Sequence, residues 1–203
     1  MVTLGGSDAY TAGQFFQGLT ADAWQGPLAL PAGRKLTTVV PGQAEGPIVG
    51  GNLTVLTSLV GTPYALDGMG CILVLEDTGE DAYRIDRMLN QLWQSGLLSR
   101  VAAIAYGDFT DCPNDPGDFT TDQVLDYYAH LAGKPAIKGL PVGHTKDKAF
   151  VPYGVKVRSM PIGRAHRLPL LMFAVYGRCN ICMSNINHRL SAICRGTTRG
   201  ARF

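Results

Sequence analysis

CILVLEDTGED, residues 71–81, begins as a buried strand and ends in carboxylates. Ile72, Leu73, Val74 and Leu75 follow one another with no polar break. A strand apolar on both faces belongs inside a sheet covered on both sides, the usual setting of parallel strands. Glu76, Asp77, Glu80 and Asp81 come immediately after it. A carboxylate at the end of such a strand is either a solvated strand end or a group placed for chemistry, and by itself the first reading is the commoner one.

Outward from this stretch, strand and helix patterns alternate. GPIVGG (46–51) is a short apolar strand ending in glycines, and NLTVLTSLVG (52–61) reads as a helix capped by Asn52 and closed by Gly61 before Pro63. Within 79–98, Ile85, Met88, Leu89, Leu92 and Trp93 recur three and four apart, giving one apolar helical face that ends at Gly96. VAAIAYGDF (101–109) is a further buried strand, CPNDPGD (112–118) a loop, and TTDQVLDYYAHLAG (120–133) a helix with a Thr cap. PAIKGL (135–140) is a strand, PVGH (141–144) a turn, and AFVPYGVKV (149–157) a final strand. Such alternation predicts an α/β domain with a largely parallel sheet over 46–158. In residues 1–45, Tyr10, Phe15, Phe16 and Leu19 suggest a short helix before the Gly/Pro-rich link GPLALPAG (26–33), so this part reads as an interdomain segment.

A length of 203 residues supports one sizeable core, and 46% hydrophobic with 17% charged residues describes a globular chain. A net charge of +2 argues against a nucleic-acid partner. The longest apolar run, LPLLMFAVYG (168–177), contains Pro169 and falls short of the roughly 18 residues of a membrane span. MVTLGGSDAY lacks the regions of a signal peptide, so the chain reads as cytoplasmic. The mean charge conceals a break. Residues 159–203 carry seven arginines and no Lys, Asp or Glu, while residues 1–158 hold the other 11 of the 18 basic side chains and all 16 acidic ones.

Ligands of open α/β sheets gather beyond the carboxyl ends of the strands. Three features fall there. GGNL (50–53) lets a backbone come close and opens a helix at Asn52, whose free N–H groups favour negative charge, or it is simply a tight turn with an Asn cap. Glu76 is the second, and His144, closing GLPVGH (139–144), the third. Each alone is more often structural. Together, a carboxylate and an imidazole on neighbouring strand ends can serve as the orienter and base of a hydrolytic triad.

GPIVGGNLTVLTSLVGTPY, CILVLEDTGEDAYRIDRMLNQLWQSGLL, VAAIAYGDF and GLPVGH with VPYGVKV resemble, in order and spacing, the C-terminal half of the serine LD-carboxypeptidases. These include muramoyl-tetrapeptide carboxypeptidases and microcin-immunity peptidases. The resemblance implies a swivelling-type β/α domain of a two-domain, cofactor-free peptidase with a Ser–Glu–His triad, and a homodimer. It implies hydrolysis of the bond to the terminal D-alanine of murein tetrapeptides in peptidoglycan recycling, or of a peptide–nucleotide antibiotic. Carried over by motif, Glu76 is the triad acid and His144 the base, with Asn52 at the substrate. The family serine belongs to an N-terminal domain not found in this sequence, so the chain alone is expected to be inactive. GGSDA (5–9) approaches a G-x-S-x-G elbow, but too little chain precedes it, and Ser7 reads as a helix cap. Ser58, Ser95 and Ser99 are not placed by pattern for the role. A non-catalytic binding or dimerisation module is the alternative from another class.

Residues 159–203 depart from the family. Losing Lys, Asp and Glu while gaining Arg and Cys is what a shifted frame in GC-rich DNA produces, so this tail is expected to be frameshifted or disordered. Cys179, Cys182, His188 and Cys194 supply four zinc-type ligands, but their spacing matches no known finger, and no metal is expected.

Overall fold

The computed structural model describes residues 8–20, 25–113, 117, 119–160 and 170–174. In chain order the elements are α1 (Ala9–Thr20), β1 (Gln25–Pro27), β2 (Thr37–Val40), β3 (Ala44–Asn52), α2 (Leu53–Ser58), β4 (Ile72–Thr78), α3 (Ala82–Gln94), α4 (Leu97–Arg100), β5 (Ala103–Thr110), α5 (Thr121–Ala132), β6 (Ala136–Lys138), β7 (Lys156–Met160) and β8 (Leu170–Ala174). The strands form one sheet in the order β1-β8-β7-β3-β4-β5-β6-β2. Its centre, β3-β4-β5-β6, is parallel throughout. Both flanks are antiparallel: β2 pairs with β6 on one side, and β7, β8 and β1 extend the other.

Each crossover among the four central strands steps one strand in the same direction. Right-handed connections then place α2, α3, α4 and α5 on one face. The core divides accordingly. Leu73 and Leu75 of β4 pack with Ile85, Leu89, Leu92, Leu98 and Val124 beneath the helices. Ile72 and Val74 point the other way and pack with Ile48, Ala105, Leu140 and Val157. The unbroken apolar run of β4 is therefore buried on both sides. The second face is covered by connecting chain, with Leu28, Leu36, Val142 and Phe150 against it.

Several boundaries differ from the sequence reading. β4 does not stop at Glu76 but runs on through Asp77 to Thr78. The 79–98 helix starts at Ala82 and breaks at Gly96, which takes a left-handed φ of 76° before the short α4. The final strand is confined to the end of its segment, because residues 149 and 150 give their N–H groups elsewhere. Ala149 N–H donates to Pro141 O at 2.7 Å and Phe150 N–H to the Gln14 side chain at 3.4 Å. Pro152 has no N–H to give a ladder. α1 forms as expected but presents a different face: Phe16 and Leu19 are exposed, while Thr11 and Gln14 are buried. Its first-turn cap is Asp8, whose Oδ1 accepts Thr11 N–H at 2.8 Å, and Ser7 lies outside the described residues.

Candidate active site

Glu76 is reached through the bulk of the core. Buried β4 carries it to the carboxyl edge of the sheet, where it is 7% exposed. A carboxylate that deep requires a polar partner, and a bulge in β5 makes room for one. Leu75 lies opposite Tyr106, yet Asp77 lies opposite Phe109, so Gly107 and Asp108 together face Glu76. Such an extra residue bends a strand and frees backbone groups from the ladder. The chain leaving β6 takes them up: Leu140 N–H donates to Tyr106 O at 3.1 Å and Asp108 N–H to Val142 O at 2.9 Å. A Cβ on Gly107 would fall 2.5 Å from Val142 O, so only glycine admits this approach.

The loop so held brings His144 onto Glu76. Nδ1 of His144 lies 3.1 Å from Glu76 Oε2. Gly143 makes the close packing feasible. It adopts a φ of 123°, and a Cβ there would stand 2.7 Å from Glu76 Oε2. The carboxylate side chain is 9% exposed and the imidazole 59%. A carboxylate accepting at Nδ1 fixes the Nδ1–H tautomer and leaves Nε2 as the basic nitrogen. The structure thus joins two residues 68 positions apart in the sequence.

Asn52 stands beside them, its Cα paired in register with that of Glu76. Its Oδ1 caps α2 by accepting Val55 N–H at 3.0 Å, and its Nδ2 donates to Asp77 Oδ1 at 2.8 Å. Two of the N–H groups expected to be free for an anionic ligand, those of Thr54 and Val55, are already occupied. Thr54 N–H goes to Asp77 Oδ2 at 2.9 Å, so the anion at the start of α2 is the protein's own. Asp77 also accepts from Thr54 Oγ1 and Thr78 N–H at 2.8 and 2.9 Å. It is 2% exposed and is a structural clasp rather than the strand-end charge suggested by sequence. Asp77→Ala is expected to lower stability by about 3 kcal/mol, since several buried donors lose their acceptor. Asp77→Asn is expected to destabilise too, because either amide orientation sets an NH2 against donors. Urea unfolding of the two variants checks both statements.

Two groups that hold the site carried no sequence signal. Arg34 donates through Nε to Gly139 O at 2.8 Å and forms an ion pair with Asp108, tying the start of the His144 loop to the bulge. Next to them opens a cavity of about 730 Å³ whose lining includes Arg34, Lys35, Gly107, Asp108, Lys138 and Gly139. Lys138 is held in it by Asp122 and Asp126 at 3.2 and 2.8 Å. Cys112 also lines this cavity, and burial pushes its thiol up, as it does for Cys71, so neither is a ready thiolate nucleophile. Ser58, Ser95 and Ser99 each donate to a carbonyl of their own helix or turn. Among the described residues no cluster of three His, Cys, Asp or Glu is arranged to hold a metal, and no helix is long and apolar enough to cross a membrane. Cys179, Cys182, His188 and Cys194 lie outside the described residues.

The family profile of the LD-carboxypeptidase C-terminal domain matches residues 45–158, and the chain belongs to that family. It is 46% identical over 123 residues to a probable murein peptide carboxypeptidase of Bacillus subtilis, covering 60% of this chain and 39% of the relative. To the murein tetrapeptide carboxypeptidase of Pseudomonas aeruginosa it is 40% identical over 113 residues, covering 55% and 37%. The crystal structure of the muramoyltetrapeptide carboxypeptidase from Oxalobacter formigenes superimposes with a TM-score of 0.67 at 31% identity, over 86% of this chain and 58% of that one. The chain therefore spans about two-fifths of the length of these curated relatives.

Proposed function

We propose that this domain supplies the acid–base half of a serine carboxypeptidase that releases the terminal D-alanine of murein tetrapeptides. The observation that carries the reading is the 3.1 Å contact between Glu76 Oε2 and His144 Nδ1 at the carboxyl edge of the parallel strands. In this mechanism a serine from a partner domain attacks the scissile carbonyl. His144 Nε2 takes the serine proton and then delivers it to the leaving D-alanine amine. Glu76 keeps Nδ1 protonated and stabilises the imidazolium that forms between the two steps. Asn52 has a second Nδ2 hydrogen beyond the one given to Asp77, and in this reading it meets a substrate oxygen. No metal or organic cofactor takes part. The cytoplasm is the natural setting for recycling such peptides, and homodimer formation belongs to the same reading.

In this reading the serine comes from another domain, so the 203-residue chain is expected to be inactive by itself; among the described residues Ser58, Ser95 and Ser99 each donate to a local carbonyl. Joining it to the N-terminal domain of a muramoyltetrapeptide carboxypeptidase is expected to yield D-alanine release from murein tetrapeptide. A joined and folded protein without that activity counts against the reading. Release by the chain alone, abolished by His144→Ala, would contradict the need for an outside serine.

A further inference from the structure

His144 sits on a loop without regular structure, and its exposed ring is gripped at one edge by Glu76. For one nitrogen to stay on the carboxylate and the other to meet a proton donor, the loop itself must be held. Its neck is closed by Ala149 N–H on Pro141 O and by Asp108 N–H on Val142 O. On the far side, Lys146, Lys148 and Phe150 meet α1.

Those contacts come from one helical face. Thr11 Oγ1 accepts Lys148 N–H at 2.9 Å, and its one hydrogen faces Lys146 O at 3.3 Å, the nearer of two acceptors, with Asp8 Oδ2 at 3.5 Å. Gln14 Oε1 accepts Phe150 N–H at 3.4 Å. Gly18 lies under the Phe150 ring, where a Cβ would fall 2.3 Å from Phe150 Cγ. Residues 11, 14 and 18 follow the three- and four-residue spacing of one helix stripe. Thr11 and Gln14 are 6% and 5% exposed, the buried residues of α1. Burying a hydroxyl and an amide oxygen is unfavourable unless they find hydrogen bonds, and here the loop supplies partners to Thr11 Oγ1 and Gln14 Oε1. A helix serving only to cover the core would turn its apolar residues inward, whereas α1 leaves Phe16 and Leu19 in solvent. The helix is itself secured by the Asp8 cap and by Tyr10 Oη donating to Ala29 O at 2.8 Å.

We infer that α1 braces the His144 loop and that Thr11 is a positioning residue for the acid–base pair, its hydroxyl standing in for a neighbouring strand by serving a backbone N–H and a backbone C=O at once. The inference rests on the role proposed for His144, but its first readout does not. In the full chain, Thr11→Val keeps the side-chain shape and removes the hydroxyl, while Thr11→Ser keeps the hydroxyl. Amide hydrogen exchange at Lys148 is expected to speed up about fivefold in Thr11→Val, the change that one net hydrogen bond sets. The His144 ring 15N pattern is expected to move towards the mixed tautomers of free histidine, and Thr11→Ser is expected to restore both. Gln14→Met, which removes the acceptor for Phe150 N–H, is expected to act in the same direction and carries the test if Thr11→Val does not fold. A lowered melting temperature with an unchanged His144 ring pattern would overturn the inference and leave α1 as packing alone. A ring without an Nδ1 proton in the unsubstituted chain would count instead against the acid–base reading, with the Lys148 amide still reporting on the brace.

Discussion

Glu76→Gln, in the domain joined to a nucleophile-bearing partner, is expected to lower kcat for D-alanine release about 10³- to 10⁴-fold with little change in KM. The amide fits the space of the carboxylate, so the fold and the approach of Gly143, 2.7 Å from Glu76 Oε2 by its absent Cβ, are preserved. What changes is electronic. A neutral amide no longer stabilises the imidazolium, and it can present its NH2 to Nδ1, which selects the tautomer with the proton on Nε2. That nitrogen can then no longer accept the serine proton. Loss of the orienting carboxylate in hydrolytic triads has an effect of this size, and it falls on kcat because the charge exists only after proton transfer. His144→Ala is expected to lose at least as much, since the proton acceptor itself is removed. Steady-state kinetics on murein tetrapeptide give both numbers. A loss below about tenfold in either variant would remove the pair from the chemistry.

Gly50→Ala is expected to prevent folding, with a stability loss above about 4 kcal/mol. Gly50 lies two residues from the end of β3 at a φ of 125°, and its Cβ would stand 2.0 Å from Val74 O and 2.8 Å from Val74 N. Those atoms are the backbone of the most buried strand, which has no rotamer to yield. β3 and β4 would have to part at the Gly50–Val74 pair, two residues before the Asn52–Glu76 pair that forms the site. The neighbouring Gly51 supplies the control. It has a φ of 140° but nothing within 4 Å of its Cβ position, so Gly51→Ala is expected to lose only the backbone term, about 1–3 kcal/mol. Urea unfolding followed by circular dichroism separates the two. Equal losses would mean that strain, not the approach to Val74, sets the demand for glycine.

The parts of the fold that could be read from sequence are those governed by local periodicity. The apolar runs of β3, β4 and β5, the face of α3 and the Thr cap of α5 are all properties of neighbouring residues. Thr120 is indeed an N-cap, and Gln123 closes it into a capping box. Glu76 and His144 stood out as polar groups at the ends of strands, and motif order linked them. The supports of the pair had no such signal. Arg34 meets Asp108 and Gly139 across 74 and 105 residues, and Thr11 meets Lys148 across 137. A hydroxyl or guanidinium has the same sequence appearance whether it faces solvent or a loop. In α1 the aromatic residues even pointed to the wrong face, because the buried stripe is the polar one. Asp77 gives no signal of its clasp for a related reason: two adjacent carboxylates at a strand end look alike, yet alternation along β4 sends them to different neighbours. Glu76 meets His144, and Asp77 meets Asn52 and Thr54.

The whole reading of the site turns on Glu76 holding the His144 ring with its proton on Nδ1. A long-range ¹H–¹⁵N spectrum of the full chain at about pH 8, where ordinary histidines are neutral, tests it without substrate or partner domain. A protonated Nδ1 and an unprotonated Nε2 are expected at His144, with loss of that preference in Glu76→Gln. A proton on Nε2, or a ring pattern indistinguishable from free histidine, would contradict it.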